Sequence, residues 1–563
     1  MKELSIVVSS EDSLQVQFSQ KICEEVNAEI IAFVESFKAY IKGKADLQEA
    51  IIEILPTYCA VTVFFNPSKT NHSALEKLIK SVIKNSASGV AGSDKTGRIV
   101  EIPVCYEDEE FAPDLADVAK HTGLSKEEII KLHHSKDYLI YMLGFLPGFP
   151  YLGGMDESLE TPRLESPRTK IPAGSVAIGG KQAGLYPSDS PGGWRIIGRT
   201  PLKVFDQNRN PACLYQAGDR IRFVPISKKQ FENMAAASSE GNASSKNSSA
   251  SFRPRAKPQY QKYVCTSGIK IIEPGLMTSV QDKGRLGLQH QGIGQSGVMD
   301  AESFRLGNAL LGNEENAACL EATALGPTIR FILDCEFVIT GGECSATLDD
   351  KTIYINKKYL AAAGSILKCG FITKGLRSYI CFKGGLLVPQ VFASRSTNLK
   401  SKSGGYFGRK LKAGDEIAVG DMVKKGKLAV ADGTEKKVLP ILQQLPSSSS
   451  QPLVLKCTKG SQYSDFPAEV IKDFQSQVFT VLPESDRMGI RFSGESLNCG
   501  KTDIISDAIP FGAVQITSAG LPVVMAADRQ TTGGYAKIAA VTRHSMCLLA
   551  QAVPGTKVKF KIE

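Results

Sequence analysis

At 563 residues the chain is long enough for several domains, each with its own core. Its 42% hydrophobic and 22% charged content excludes a disordered polymer, and no apolar run approaches the length of a membrane-spanning helix. The net charge of +9 rests largely on scattered lysines, which disfavours a nucleic-acid stripe and suits a small anionic substrate.

The opening stretch MKELSIVVSSEDSLQVQF lacks the apolar core of a secretion signal. Thirteen cysteines are spread singly with no C-x-x-C pair, so reduced thiols and a cytoplasmic location are expected. Residues 1–95 alternate strand-like runs (LSIVV, CAVTVFF) with a helical one (ALEKLIKSVIK), which predicts a small α/β domain. Pro113 to His134 reads as two short helices, the second opened by a Ser125/Glu128 capping box. From Asp137 the pattern becomes strand and turn, so residues 96–226 form a second, mainly β unit. The Ser-, Ala- and Asn-rich segment 227–267 predicts a flexible linker. Two further β units follow, 268–444 and 445–563, divided near LPSSSSQP at Leu445–Pro452.

An internal repeat links the β units. A glycine pair followed by an aromatic residue occurs at Gly192–Gly193–Trp194, Gly404–Gly405–Tyr406 and Gly533–Gly534–Tyr535. Each is followed by a turn and an alternating strand: AGDRIRF, AGDEIAV and PGTKVKF. GSVAI with AGL after Gly174 parallels GAVQI with AGL after Gly512. Three related β domains explain this economically.

Several segments combine glycine with chemistry-bearing side chains. Tyr141–Asp206 is rich in proline and paired glycine, so it is a set of fixed turns displaying Arg168, Lys170, Lys181, Tyr186, Trp194, Arg195 and Arg199. A turn-rich barrel without a site is the competing reading. Gln281–Asp300 places Asp282, Arg285, His290, Ser296 and Asp300 among glycines, which let a ligand approach the backbone. Arg285 suits a carboxylate or phosphate and His290 a proton transfer. As a loop residue, Arg285 is expected to matter for turnover and little for stability. ADRQTTGGYAK supplies Asp528, Arg529, Gln530, Thr531, Thr532 and Lys537. SDRMG repeats the Asp–Arg pair at Asp486–Arg487, and SRST adds Arg395. Structural ion pairs at barrel corners are the alternative for these. SGESLNCGKT at Ser493 resembles a phosphate loop, but Glu495 stands where glycine is required, so it reads as a turn. The six histidines show no ligand spacing, and no A-M-K-M-type carrier lysine for biotin is present.

The Tyr141–Asp206 motif closely resembles the allophanate hydrolase/KipI family, associated with the B component of bacterial ATP-dependent 5-oxoprolinase. IIEPGLMTSVQDKGRLGLQHQGIGQSGVMDAESFRLGNALLGN, VLPESDRMGIRF and ADRQTTGGYAKIAAV resemble the KipA family, the C component of that enzyme, which is also similar to biotin-dependent carboxyltransferase domains. The chain thus resembles a fusion of the B and C components. The resemblance implies a mainly β protein with a small α/β N-terminal domain and three cyclophilin-like β-barrel domains. It implies a protein that activates 5-oxoproline, by phosphorylation from ATP with Mg²⁺, for ring opening to glutamate with a separate LamB/YcsF-like A component of 5-oxoprolinase. Asp282, Arg285, His290, Asp300 and Arg529 are the expected catalytic set. Arg168, Lys181, Tyr186, Trp194, Arg199, Ser296, Arg395, Asp486, Arg487, Asp528, Gln530, Thr531, Thr532 and Lys537 are the expected substrate or nucleotide ligands; the metal ligands are unassigned. No biotin on this chain, no nucleic-acid or membrane partner, and an optional homo-oligomer complete the expectation. A urea-carboxylase-type carboxyltransferase and a KipI/KipA-like regulator of a histidine kinase are the alternatives.

Overall fold

The computed structural model describes residues 4–86, 97–166, 168–239, 253–254, 268–420, 441–445, 451–500 and 502–563. The N-terminal unit is a four-stranded antiparallel sheet, Ser5–Ser10, Ser13–Gln17, Ile51–Pro56 and Ala60–Phe65, in the order first, second, fourth, third. Helix Glu24–Ile41 buries Val26, Ile30, Phe33, Val34 and Phe37, a stripe at helical spacing. That stripe and helix His72–Ser86 share one core with Val61, Val63 and Phe65 of the sheet.

Residues 99–226 close into a seven-stranded barrel, and so do residues 453–562. Counted along the chain, both rings run first, sixth, fourth, fifth, third, second, seventh. In both, the last strand closes parallel to the first: Arg220–Ile226 on Ile99–Cys105, and Lys557–Ile562 on Leu453–Lys459. Each barrel also carries a two-stranded side ribbon, Arg168–Ile171 with Ser190–Gly192 and Asp503–Ala508 with Thr532–Tyr535. The Gly–Gly–aromatic repeat lies on or beside this ribbon in both barrels. GSVAI and GAVQI open equivalent hairpins, Ser175–Gly179 with Gln182–Leu185 and Ala513–Ile516 with Pro522–Met525, but the AGL string lies in the second strand of the first and in the turn of the other. The repeat seen in the sequence is therefore a repeat of topology.

The middle unit, from Ile269 to Val419, differs. It is built of a seven-stranded and a five-stranded sheet, and its last strand Glu416–Val419 pairs antiparallel with its first, Ile269–Glu273. Of the three expected barrels, two are closed rings and this one is a pair of sheets around a single core.

The segment expected as linker begins with a helix, Lys228–Ser239. Ser227 and Gln230 satisfy its first turn, and Phe231 packs edge-on against Phe111 at 4.8 Å between ring centres. Lys228 adds contacts to Glu107 and Glu110, so tertiary docking orders the first part of a stretch whose composition reads as flexible. Residues 240–252 and 255–267 lie outside the described residues. Among the described residues no helix is long and apolar enough to cross a membrane.

Helix Lys126–His134 has the expected capping box: Ser125 Oγ accepts from Glu128 N at 3.2 Å, and Glu128 Oε2 accepts from Ser125 N at 2.8 Å. The same helix buries His133, which stacks on Phe223 at 4.6 Å and pairs through Nδ1 with the Tyr106 hydroxyl at 2.9 Å. Burial, with a smaller contribution from His134, pushes its imidazolium pKa down to about 3. The folded value lies below the unfolded one, so the neutral ring's contribution is present above about pH 6.5 and is lost as pH falls toward the folded value. Urea unfolding at pH 5 should show about 2 kcal/mol less stability from this group than at pH 7.5. His133→Leu should flatten that slope although it leaves Tyr106 unpaired.

The first and last parts of the chain pack together. Ser9 Oγ meets Ser461 Oγ at 2.7 Å, Gln15 Nε2 donates to Asp507 at 3.1 Å, and Arg543 pairs with Asp12. The α/β unit is therefore seated on the C-terminal barrel.

Candidate functional site

Residues 282–297 form a glycine-rich loop at which every unit of the protein meets. Its own frame is internal. The Asp282 carboxylate accepts from Gly284 N, Ser394 Oγ, Arg395 N and Ser396 Oγ, and Arg285 N donates to Gln295 O at 2.7 Å. The outer contacts reach three neighbours. Ser296 N donates to Ala527 O of the C-terminal barrel at 3.0 Å. Gln291 O accepts from Gly148 N of the first barrel at 3.0 Å. His290 and Gln289 reach Glu53 of the α/β unit. Gly292, at φ +74°, is required here: a Cβ would lie 2.3 Å from Leu146 O and force the first barrel away.

Arg529 sits at the centre of this junction. It is 3% exposed, and burial pushes its pKa down to about 10. Its Nε donates to Ile509 O at 2.9 Å, and Nη2 lies 3.3 Å from both Gln289 Oε1 and Gln295 Oε1. Among the described residues it forms no ion pair. Its direct partners are all neutral oxygens; Asp12, Glu53 and Asp528 act on it only through space and offset part of the charge, and the remainder favours an anion. On the same segment the buried Thr531 Oγ1 has no hydrogen-bond partner among the described residues, and neither has Gln515 Nε2, which lies beside Gly533. Thr532 faces Gly144 of the first barrel, where a Cβ would lie 2.0 Å from its hydroxyl oxygen. Gln530 is half-buried on the same turn.

Beside this turn the first barrel presents an aromatic cluster. Phe149 makes edge contacts with Tyr186 at 5.2 Å and Trp194 at 5.6 Å, and the cluster takes in Ile505 of the C-terminal barrel. Gly184 and Gly179 leave room for the Trp194 ring, since a Cβ at either would lie under 3 Å from it. Burial raises the Tyr186 phenol.

The structure reassigns many residues singled out in the sequence. Asp282 organises its own loop, and Asp300 caps helix Ala301–Leu311, accepting from Glu302 N, Ser303 N and Gln551 Nε2. Burial raises the Asp300 carboxyl. Arg285 is 1% exposed and donates to Val391 O and Ser396 O, and Gly404 lacks the Cβ that would strike its guanidinium. Truncating Arg285 therefore leaves a cavity and unpaired carbonyls, so its principal effect moves from turnover to stability. Ser296, at φ 56°, accepts from Asn398 Nδ2 at 2.9 Å, and Arg395 holds Val388 O. Asp486 turns its own chain, accepting from Met488 N and Gly489 N. Arg487 bridges Asp528 and Glu321, and Lys537 is paired with Asp507. In the first half, Arg168 forks onto Asp114, Lys181 is exposed beside Glu160, and Arg199 lies over Phe231. Arg529, Gln530, Thr531, Thr532, His290, Tyr186 and Trp194 lie at or beside the junction; among them His290 is held by Glu53, and Tyr186 and Trp194 are packed in the aromatic cluster. Sequence reasoning misses Glu53 and Gln289. Glu53 lies 237 positions from His290, so no local signal in the sequence links the two.

Lys501 of the loop resembling a phosphate loop lies outside the described residues; Glu495 N there is held by Gln477. No group of three or more His, Cys, Asp or Glu that would hold a metal occurs among the described residues.

Residues 4–215 match the carboxyltransferase domain, subdomain C and D, and residues 291–562 match the carboxyltransferase domain, subdomain A and B. The B component of 5-oxoprolinase from Bacillus subtilis (strain 168) is 42% identical over 228 residues, which is 39% of this chain and 92% of that protein. The C component of 5-oxoprolinase from Haemophilus influenzae is 37% identical over 295 residues, 52% of this chain and 90% of that protein. The crystal structure of TTHA0988 superposes with a TM-score of 0.79 at 29% identity, covering 98% of this chain and 99% of that one.

Proposed function

Because this chain belongs to the carboxyltransferase domain family and carries both subdomain pairs in one polypeptide, we propose that it is the fused B and C component of an ATP-dependent 5-oxoprolinase. The reaction is the opening of a stable lactam. Transfer of the γ-phosphoryl group to the lactam oxygen makes that oxygen a leaving group and the ring carbon electrophilic. The demand on the protein is then positive charge and hydrogen-bond donors aimed at carboxylate and phosphoryl oxygens.

The observation that carries this reading is Arg529. It is a buried guanidinium with no ion-pair partner among the described residues, held by Ile509, Gln289 and Gln295 where both halves of the chain meet, and the buried Thr531 hydroxyl two residues on has no partner among the described residues. In this reading Arg529 binds a substrate carboxylate or the γ-phosphate, and Thr531 supplies a further hydrogen bond. Tyr186 and Trp194 supply an apolar wall for a ring. In this reading Mg²⁺ would enter bound to the nucleotide phosphates, with one or two carboxylates and water filling its remaining positions. Water attack on the activated lactam falls to a separate A component.

Mixed with a LamB/YcsF-like A component, 5-oxoproline and Mg-ATP, the protein should release glutamate, ADP and phosphate without biotin or bicarbonate. Avidin should have no effect. Bicarbonate-dependent, avidin-sensitive ATP turnover on urea would replace this reading with that of a carboxyltransferase. Arg529→Met should lower kcat/KM by an amount equivalent to about 3 kcal/mol, the scale of one lost transition-state donor. It should also cost some stability, because Ile509 O, Gln289 Oε1 and Gln295 Oε1 lose their donor, so kcat/KM is read well below the variant's unfolding transition. Normal turnover in that variant would remove Arg529 from the site.

A further inference from the structure

We infer that Glu53 and His290 form a proton-transfer dyad assembled across the two halves of the chain. Glu53 is the positioning residue, and the imidazole Nε2 is the group that exchanges the proton. The inference rests on the 5-oxoprolinase reading for the identity of the substrate proton, and on geometry alone for the dyad.

Glu53 belongs to strand Ile51–Pro56 of the α/β unit. Its side chain is 2% exposed, and His290 on the glycine-rich loop is 42% exposed. The Glu53 strand has a register shift between Ile51 and Glu53, opposite Phe65 and Phe64. A bulge of this kind re-aims a side chain locally, and bulges concentrate beside sites. Here the carboxylate emerges under the loop and accepts three hydrogen bonds. His290 N donates to Oε1 at 2.9 Å, His290 Nδ1 lies 3.0 Å from Oε1, and Gln289 Nε2 donates to Oε2 at 3.2 Å.

A carboxylate only accepts, so Nδ1 of the neutral ring carries the hydrogen and Nε2 presents its lone pair outward. The Gln291 amide nitrogen, 3.2 Å from Nε2, is oriented to donate to that lone pair. The half-exposed ring thus combines a buried carboxylate behind it with an acceptor in front that the half-buried Gln291 amide holds and a substrate N–H would displace, the arrangement that stabilises an imidazolium formed in passing. Gln289 joins the dyad to the anion-binding candidate: its Nε2 faces Glu53 and its Oε1 faces Arg529 Nη2 at 3.3 Å. Arg529, Gln289, Glu53 and His290 form one hydrogen-bonded chain through the C-terminal barrel, the loop and the α/β unit.

In the proposed step, Nε2 takes the lactam N–H proton as the lactam oxygen bonds to the γ-phosphorus of ATP. The bond from that phosphorus to the β,γ-bridging oxygen breaks and ADP leaves with its electron pair. The product is an O-phosphorylated cyclic imidate and a protonated His290. The imidazolium loses this proton to solvent before the next turnover, the ring nitrogen is reprotonated from solvent where water adds to the activated carbon in the A component, and no oxidant or reductant is needed.

The test uses the full chain with the A component and three variants: Glu53→Gln, His290→Gln and the double variant. Each single variant should lose about 100-fold in kcat, the low end of general acid–base catalysis, with KM within about threefold of the parent. The double variant should lose no more than the worse single variant, because the two residues act as a unit. A Glu53→Gln protein with parental kcat and only a lowered Tm would reduce the pair to a clasp between units and overturn the dyad. Additive losses in the double variant would do the same. A ¹⁵N-histidine spectrum of the parent, with His290 assigned from the His290→Gln spectrum, reads the tautomer independently of turnover. An Nδ1-protonated neutral ring is expected, and an Nε2-protonated ring overturns the dyad. If the parent makes no glutamate, the reaction assigned above fails, and the tautomer alone then decides the dyad.

Discussion

Arg487→Met is expected to destabilise the protein by about 5 kcal/mol, the upper end of the cost of breaking a buried ion pair. Arg487 lies between the middle unit and the C-terminal barrel. Its guanidinium is paired with Asp528 on its own barrel and with Glu321 on the neighbouring unit, and those two carboxylates are each 2% exposed. Burial alone would lower its pKa, but Asp528 and Glu321 together hold it above the ordinary arginine value. Nη2 also holds Gly297 O, and Glu321 Oε2 accepts from Met299 N and the Tyr379 hydroxyl at 2.8 and 2.9 Å. Methionine matches the volume of the side chain but strands two carboxylates in a dry interface. Urea unfolding should show the loss directly, with separation of the two units preceding global unfolding. Adding Glu321→Gln and Asp528→Asn should recover more than half of it. A loss under about 1 kcal/mol, the scale of a solvated pair, would mean that water reaches the triad.

Asp507→Asn should cost about 3–5 kcal/mol through a different residue. Lys537 is fully buried, and Asp507 is its ion-pair partner. The other Asp507 oxygen accepts from Gln15 Nε2 at 3.1 Å and Gln462 Nε2 at 3.0 Å, so this carboxylate also ties the α/β unit to the barrel. Asparagine keeps the shape but leaves the ammonium without a counter-charge. The double replacement Lys537→Met with Asp507→Leu should be more stable than either single change, because it removes both charges together. A double-mutant cycle measured by chemical unfolding gives the coupling, and a value near zero would refute a dry pair.

These two buried ion-pair sites show why half of the candidate site is not legible in the sequence. Asp–Arg and Ala–Lys strings in glycine-rich loops look alike whether the charges face a ligand or each other. Arg487, Asp528 and Lys537 read as ligands in sequence and are counter-ions in the fold, whereas Arg529, next to Asp528 in sequence, has no carboxylate paired with it among the described residues. Asp282 and Asp300 read as catalytic and are the acceptors on which their own loop and helix are built. The distinction depends on what lies across the interface, and residues such as Glu321 and Glu53 are far away in sequence.

What the sequence determined by itself is whatever short-range sterics and periodicity control. The capping box at Ser125, the hydrophobic stripe of Glu24–Ile41, the hairpins after Gly174 and Gly512 and the repeated Gly–Gly–aromatic turns all follow from neighbours within a few residues. The mainly β fold with its α/β N-terminal unit is legible for that reason, as is the duplication of the barrel. Tertiary structure alone decided how the rings close: parallel first and last strands in two units and an antiparallel pairing in the middle one, from nearly identical AGDRIRF and AGDEIAV strings. It alone ordered Lys228–Ser239 by docking Phe231 on Phe111. It also buried Arg285 and placed Glu53 beneath His290. The physical reason is common to all of these. Burial and charge pairing are set by contacts between distant segments, and their energies belong to no single stretch of the chain.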